Sequence, residues 1–245
     1  MFYKKLSYLI FVSLFTFFVS AQEVTTEQAV IVEEPVNLVK FMAKDKFMLS
    51  GKYYTGKKDH SAVLLLHDCK HDSRSYEKLI QIISSYGLHA FALDLRGFGE
   101  SISEEFSHKN IKAKSKDIAT YQSELFRLTS FWQSDVLEGY NFLRERIGKK
   151  QGVAVVSSGC TAAQAVFLAQ KMRINSFVLL TPILDYMEKE NFKNLIDIPV
   201  YFVNSVYHAE TYQTGKELFD WNGDNRSVFQ VFKGEYQGQT LLRRK

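Results

Sequence analysis

The sequence predicts an α/β protein built on a mostly parallel β-sheet, with helices on both faces and an antiparallel hairpin at its start. Two strand-like segments, Asn37–Met42 and residues 47–54, flank a polar turn at residues 44–46 and indicate the hairpin. The continuous apolar run Ala62–Leu66 is typical of a strand buried on both faces of a sheet. Beyond it, strand-like and helix-like segments alternate, which is the order that produces parallel strands joined by helices.

The remaining elements follow from apolar periodicity and helix-ending residues. A helix is expected behind Ser73, ending at Gly87, and another is expected to be capped by Ser134 and Asp135. Residues 102–120 are rich in Lys, Ser and Glu, and we expect a solvated excursion there. Further strands are expected at residues 90–93, 153–156, 177–180, 199–203 and 228–232, and further helices after residue 161 and around residues 212–221. No segment is long enough for a large cap domain or a second domain.

The N-terminal residues are typical of a secretory signal. Lys4 and Lys5 precede an apolar run at residues 6–19, and small residues follow up to Ala21, after which we expect cleavage. The run has roughly 14 residues, fewer than the about 20 that span a bilayer, which disfavours the alternative of an uncleaved membrane anchor. We therefore divide the chain into a signal peptide (1–21), an N-terminal arm (22–35) and one domain (36–245), exported to the periplasm or secreted.

The charge of the chain excludes one class of partner. Its formal net charge is +4 at pH 7, and it lacks the strong clustered basic excess of nucleic-acid-binding proteins. No motif leads us to expect a cofactor or a metal ion. After cleavage we expect no stable membrane anchor, and the partner is an unidentified ligand or protein.

Five segments carry a resemblance to a known family. Residues 94–101, Asp-Leu-Arg-Gly-Phe-Gly-Glu-Ser, are the most specific of them, and residues 62–72 resemble a strand followed by a His-Gly loop. Residues 153–163 have the pattern of a strand, a sharp turn and a helix, and residues 180–186 and 198–203 complete the set. Together they resemble the α/β-hydrolase superfamily, in particular small esterases and dienelactone-hydrolase relatives. The resemblance implies the α/β-hydrolase fold over nearly the whole chain after the signal.

The resemblance implies a serine nucleophile at the apex of the turn after residues 153–156. With that run fixing the register, the apex falls on Gly159, which has no side chain to attack a substrate. A shift of one residue in either direction instead offers Ser158 or Cys160 as the nucleophile.

The positions that the resemblance implies for the acid and the base also lack the family's residues. The acid position falls on Tyr207 or His208, and neither is a carboxylate. The base position falls on Gln237, whose amide cannot accept a proton near neutral pH. We therefore expect the catalytic triad to be lost, with Gly159, His208 and Gln237 at its three positions.

The resemblance also implies where the two cysteines lie. It places Cys69 and Cys160 at the two positions whose backbone N–H groups form the oxyanion hole in active relatives. They are then neighbours across the cleft, and an oxidising compartment favours a disulfide between them. The alternatives are two thiols that never pair, or a Cys160–His208 dyad with chemistry of its own.

Two functions remain open at this point. The first is a catalytically degenerate member of the superfamily, exported and retained as a binding or structural protein. The second is a hydrolase of small carboxylic esters or lactones that uses Cys160 or Ser158 with an unusual base. We favour the first, because no assignment supplies a nucleophile, a base and an acid together.

Overall fold

The computed structural model of the chain describes residues 37–195 and 197–243, so the predicted signal peptide and N-terminal arm lie outside the described residues. Within them one sheet has the strand order β1-β2-β4-β3-β5-β6-β7-β8. The strands are β1 (Asn37–Met42), β2 (Met48–Tyr54), β3 (Ala62–Leu66), β4 (His89–Asp94), β5 (Val153–Ser158), β6 (Ser176–Leu180), β7 (Val200–Ser205) and β8 (Ser227–Phe232).

The pairing of the strands confirms the predicted architecture. β1 and β2 form the antiparallel hairpin, and β2 also pairs antiparallel with β4. All other neighbouring strands are parallel. The carboxyl ends of β3 to β7 therefore meet at one edge of the sheet, where ligand sites of open α/β sheets usually lie.

The helices cover both faces of the sheet, as predicted. On one face, α4 to α7 pack on a core that includes Phe91, Val155 and Phe202. On the other face, α1 packs with Val63 and Leu65 in a second, smaller core. The helices are α1 (Glu77–Ser85), α2 (His108–Lys114), α3 (Ile118–Thr129), α4 (Trp132–Arg144), α5 (Ala162–Lys171), α6 (Tyr186–Lys193) and α7 (Ala209–Asn222). None of the helices in the described ranges is long and apolar enough to cross a membrane.

Residues 102–120 are mostly exposed to solvent, as expected, and about half of them belong to two helices that the sequence analysis did not predict. Ser107 caps α2 by accepting a hydrogen bond from the backbone N–H of Asn110, and Asp117 caps α3 in the same way through Thr120. Both helices bury few apolar side chains, with Ile111 buried in α2 and Leu128 in α3. α2 has only seven residues, too few for a periodic pattern to stand out, whereas Ile118, Tyr121, Leu125 and Leu128 of α3 do recur at helical spacing, a pattern that the sequence analysis overlooked.

The start of α4 also differs from the expectation. The helix begins at Trp132, so Asp135 lies inside its first turn and does not cap it. The Asp135 carboxylate is buried and forms an ion pair of 2.8 Å with the buried guanidinium of Arg96. Burial raises the pKa of the Asp135 carboxyl to about 6, while Arg96 acts in the opposite direction.

Arg96 joins the hairpin, the loop after β4 and the start of α4. Its guanidinium lies 4.3 Å from the ring centre of Phe47 and 4.2 Å from that of Phe131, and it also pairs with Asp45 at 2.5 Å. The indole of Trp132 donates a hydrogen bond of 3.0 Å to the Arg96 carbonyl. A single cation thus satisfies two carboxylates between two aromatic faces.

Replacing this cation tests its role. We expect Arg96→Leu to lower the free energy of unfolding by about 3–5 kcal/mol, because the Asp135 carboxylate is left buried without a partner. A carboxyl group whose pKa is raised in the folded state destabilises the fold as the pH rises above 3.8, its pKa in the unfolded chain. Removing Arg96 strengthens this effect on Asp135, so the variant should lose more free energy of unfolding at pH 7 than at pH 4. Urea unfolding at both pH values measures it.

Arg226→Leu is the matched control for Arg96→Leu. Arg226 pairs with Asp197, but 46% and 67% of their side chains are exposed. We expect this exposed pair to contribute less than about 1 kcal/mol. Similar losses for the two variants would contradict the assignment of Arg96.

Candidate functional site

The turn after β5 lies at the centre of the carboxyl edge of the sheet. β5 ends at Ser158, a 3₁₀ turn covers Gly159–Thr161, and α5 begins at Ala162. Gly159 has φ +57°, a left-handed conformation that costs other residues about 1–2 kcal/mol. A sharp strand-to-helix turn of this kind is where α/β-hydrolases present their nucleophile. Gly159 thus occupies the strained apex, in the register that the sequence favours.

Neither neighbour of Gly159 offers a free nucleophile. Ser158 is fully buried, and its hydroxyl accepts a hydrogen bond of 2.6 Å from the backbone N–H of Gln239. Cys160 forms a disulfide with Cys69, with the two Cα atoms 6.1 Å apart. The pairing implied by the resemblance is therefore present in the structure. Closing a loop with a sequence separation of 91 residues stabilises the fold by on the order of 4 kcal/mol.

A cavity of about 270 Å³ opens above Gly159. Its walls come from the loop after β3, the turn after β5, the loop after β6, the first turn of α7 and the C-terminal segment. The lining residues are Asp68, Cys69, Lys70, His71, Gly159, Cys160, Thr181, Ile183, Thr211, Glu235, Gln237, Gly238 and Thr240.

The loop after β3 is fixed by His67. This fully buried ring accepts a hydrogen bond of 3.1 Å from the Leu95 N–H through Nε2, and Nδ1 lies 2.7 Å from the Asp68 carbonyl oxygen. Because Nε2 accepts, Nδ1 carries the proton and donates it to the carbonyl. Burial lowers the pKa of His67, which favours this neutral form. His67 therefore holds the loop and has no nitrogen left for chemistry.

The same loop carries a carboxylate–imidazole pair that sequence reasoning missed. Asp68 Oδ1 lies 2.7 Å from His71 Nδ1 and accepts a further hydrogen bond from the Lys70 N–H. The Asp68 side chain is only 12% exposed, whereas that of His71 is 33% exposed and lines the cavity. The only signal in the sequence is an Asp and a His three residues apart in a loop. Such a spacing does not reveal that the two side chains meet.

The C-terminal segment closes the floor of the site. Gly238 has φ +54° and donates its N–H to Thr181 Oγ1 at 2.7 Å. A Cβ atom at this position would lie 2.4 Å from the Ser158 hydroxyl, so only glycine fits. Gln239 is fully buried, and its side chain accepts from the Asp68 N–H at 3.1 Å and donates to Ser75 Oγ at 2.9 Å.

The structure brings together only two of the three predicted triad positions. Gly159 and Gln237 both line the cavity, and the Gln237 side chain forms no hydrogen bond within the described part of the chain. His208 stands at the start of α7, outside the cavity lining, with Nε2 2.7 Å from the Glu235 carbonyl oxygen. With Cys160 in a disulfide, no Cys160–His208 dyad is formed.

The backbone at the two predicted oxyanion positions has no internal partner. Neither the N–H of Cys69 nor that of Cys160 donates a hydrogen bond to another residue of the described ranges. Both residues line the cavity. They are thus available to an oxygen atom of a ligand.

Comparison with known proteins identifies the fold. No protein-family model matches the sequence, and no curated protein matches it. Similar solved structures include TT1662 from Thermus thermophilus, which is 13% identical with a TM-score of 0.63 over 85% of this chain and 93% of that one. The esterase Pf2001 from Pyrococcus furiosus is 13% identical with a TM-score of 0.56, covering 85% of each chain. A cold-adapted esterase from an Arctic intertidal metagenomic library is 17% identical with a TM-score of 0.55, over 80% and 83% of the chains.

By their names Pf2001 and the metagenomic protein are esterases, and a further similar structure is the α/β-hydrolase GrgF from Penicillium, 12% identical with a TM-score of 0.55 over 82% of this chain and 91% of that one. The sheet of this chain is mostly parallel, with an antiparallel N-terminal pair. The chain therefore has the α/β-hydrolase fold. At identities below a fifth, the likeness concerns the fold and not the chemistry.

The role of the C-terminal segment can be tested through its two glutamines. We expect Gln239→Ala to lower the free energy of unfolding by about 1–3 kcal/mol, because it leaves the buried Asp68 N–H without an acceptor. Gln237→Ala is the control, since its side chain makes no hydrogen bond to any described residue, and we expect a change within about 0.5 kcal/mol. Urea unfolding of both variants decides, and an equal effect would refute the role assigned to Gln239.

Proposed function

We propose that this α/β-hydrolase-fold protein binds a small ligand in the cavity above Gly159 and does not carry out serine-dependent acyl transfer. The observation that carries the proposal is the glycine at the apex of the turn, with φ +57°. Acyl transfer on this fold requires a side-chain nucleophile at that point.

The surroundings of Gly159 support the proposal. The Ser158 hydroxyl is buried and already bonded to the Gln239 N–H, and the Cys160 sulfur is bonded to Cys69. The amide of Gln237, at the position implied for the base, cannot take up a proton from a nucleophile. In this proposal the triad of the superfamily has lost its function, and the cavity serves to bind a ligand.

The cavity also indicates the kind of ligand. Its volume of about 270 Å³ is slightly below the 300–1,000 Å³ of sites for drug-sized molecules, so we propose a smaller one. The free N–H groups of Cys69 and Cys160 suit a carbonyl or carboxylate oxygen. The exposed Lys70 adds positive charge at the same wall, and Ile183 supplies an apolar contact.

The second candidate is a hydrolase of small carboxylic esters or lactones. The esterases among the similar solved structures favour it. It requires either that Ser158 leave its contact with Gln239, or that reduction of the disulfide free Cys160 as the nucleophile.

Activity probes distinguish the two candidates. We expect no labelling of the protein by a fluorophosphonate, no labelling of the unreduced protein by iodoacetamide, and no turnover of small nitrophenyl esters or lactones with or without dithiothreitol. The physical reason is that no free nucleophile faces the cavity. Ile183→Trp should block it, so small carboxylates that raise the melting temperature of the natural chain should not raise that of the variant.

The controls for the probe experiment are Ser158→Ala and Cys160→Ala. Fluorophosphonate labelling that Ser158→Ala abolishes, or ester turnover after reduction that Cys160→Ala abolishes, would establish the hydrolase instead. Ligand stabilisation that survives Ile183→Trp would contradict binding in this cavity.

We also propose that the protein is exported and that the mature chain has no membrane anchor and no nucleic-acid partner. The Cys69–Cys160 disulfide supports export, since such bonds persist outside the reducing cytosol. The modest net charge of +4 supports the absence of a nucleic-acid partner.

The intact mass of the protein, purified from its own cells under alkylating conditions, tests export. We expect a chain that begins at Gln22 and carries no alkylated cysteine. A full-length chain with two alkylated thiols would show that it stays in a reducing compartment.

A further inference from the structure

The Cys69–Cys160 disulfide lies in the wall of the cavity, at the edge of the larger hydrophobic core. Both cysteines are partly exposed and line the cavity, and on their other side they pack against the larger core. A disulfide with a purely structural role does not need to be accessible from a cavity. This one lies where a small molecule can reach it, which is the first requirement for thiol–disulfide exchange.

The second requirement is a group that takes the proton of the attacking thiol. His71 lines the same cavity, two residues after Cys69, and Asp68 holds its Nδ1 at 2.7 Å. Because the carboxylate accepts from Nδ1–H, the proton-accepting nitrogen is Nε2, which has no hydrogen-bonding partner among the described residues. The pair thus has the arrangement of a base oriented by a carboxylate.

The third requirement is a stable leaving thiolate, and it separates the two sulfurs. Cys160 lies in the turn that begins the ten-residue helix α5, where the positive end of the helix dipole stabilises an anion. Cys69 lies in a loop, four residues before the short 3₁₀ helix Ser73–Tyr76, and is not in the first turn of a helix. A thiol of lower pKa leaves faster, so attack on the Cys69 sulfur, which releases Cys160, is the favoured direction.

We propose that this disulfide is a reactive bond that exchanges with small thiols entering the cavity, with His71 as the base and Asp68 as its positioning residue. The thiol proton passes to His71 Nε2, the sulfur of the small thiol bonds to Cys69 Sγ, and the bond to Cys160 Sγ breaks to give a thiolate. A second thiol then attacks the mixed disulfide, which yields an oxidised disulfide of the small thiol and leaves Cys69 reduced. Two electrons pass from two thiols to the protein disulfide.

The size of the cavity limits the choice of thiol more than the charges at its wall do. Lys70 and His71 lie on the side of Cys69, and Asp68 is already bonded to His71 and to the Lys70 N–H. Glu235 lines the cavity as well, so the wall is mixed in charge and does not attract anions alone. The cavity of about 270 Å³ suits a low-molecular-weight thiol and is too small to enclose a protein segment. This activity goes beyond ligand binding and does not depend on the loss of the triad.

Reaction with reduced glutathione tests the proposal. The oxidised protein is mixed with glutathione, quenched with N-ethylmaleimide at successive times, and mapped by peptide mass spectrometry. We expect the mixed disulfide on Cys69 and the first free thiol on Cys160. The folded protein should be reduced faster than the same chain in urea, because unfolding removes both the orientation of His71 by Asp68 and the helix start at Cys160.

His71→Gln measures the contribution of the base, and His60→Gln, in a loop outside this cavity, is its matched control. We expect His71→Gln to slow the reduction about tenfold or more and to change its pH profile, since positioned bases contribute about 10²–10⁴-fold. His60→Gln should leave the rate unchanged, and thermal unfolding verifies that both variants fold.

Three results would overturn the proposal: reduction of the folded protein no faster than in urea, glutathione found first on Cys160, or equal rates for His71→Gln and His60→Gln. Since the comparison with urea uses only the natural chain, it holds even if a variant fails to fold. Failure here leaves the fluorophosphonate and ester experiments unaffected, so the two proposals are tested separately.

Discussion

The site depends on the contacts of one buried residue, Gln239. Its backbone N–H donates to the hydroxyl of Ser158 at the end of β5. Its side chain accepts from the Asp68 N–H after β3 and donates to the Ser75 hydroxyl before α1. All of these groups except Ser75 are fully or almost fully buried, so each bond is costly to break. Three segments far apart in sequence are thus fixed to one another. The cavity exists because this contact holds its floor in place.

This contact has a chemical consequence. The Ser158 hydroxyl is buried below the cavity and accepts a hydrogen bond of 2.6 Å from Gln239, so it does not face a ligand in the cavity. Ser158 contributes to the position of the C-terminal segment, and Gly238 can approach it only because glycine has no Cβ. The Ser158 hydroxyl is accordingly bonded to the C-terminal segment, and Ser158 is not among the residues that line the cavity.

The sequence revealed those features that depend on local pattern. Ala62–Leu66 was predicted with correct bounds, because burial on both faces leaves a continuous apolar run. The turn at Gly159 was expected from the apolar run at residues 153–156, although β5 extends two residues further, to Ser158. Asp135 resembled a helix cap, since its partner Arg96 is 39 residues away and only the fold brings them together. The Asp68–His71 pair and the role of Gln239 were missed for the same reason, because they depend on how distant segments pack.

The disulfide can both stabilise the fold and react, because the two properties have different physical origins. Its stabilising effect comes mainly from restricting the unfolded chain, and does not depend on whether the sulfurs are exposed. Its reactivity depends on exposure and on a nearby base. In the folded state, the Gln239 contacts and the hydrogen bond from Thr161 to the Leu66 carbonyl already connect the loops that carry Cys69 and Cys160. Reduction therefore removes a constraint mainly from the unfolded chain, and the folded cavity keeps the geometry that allows the bond to form again.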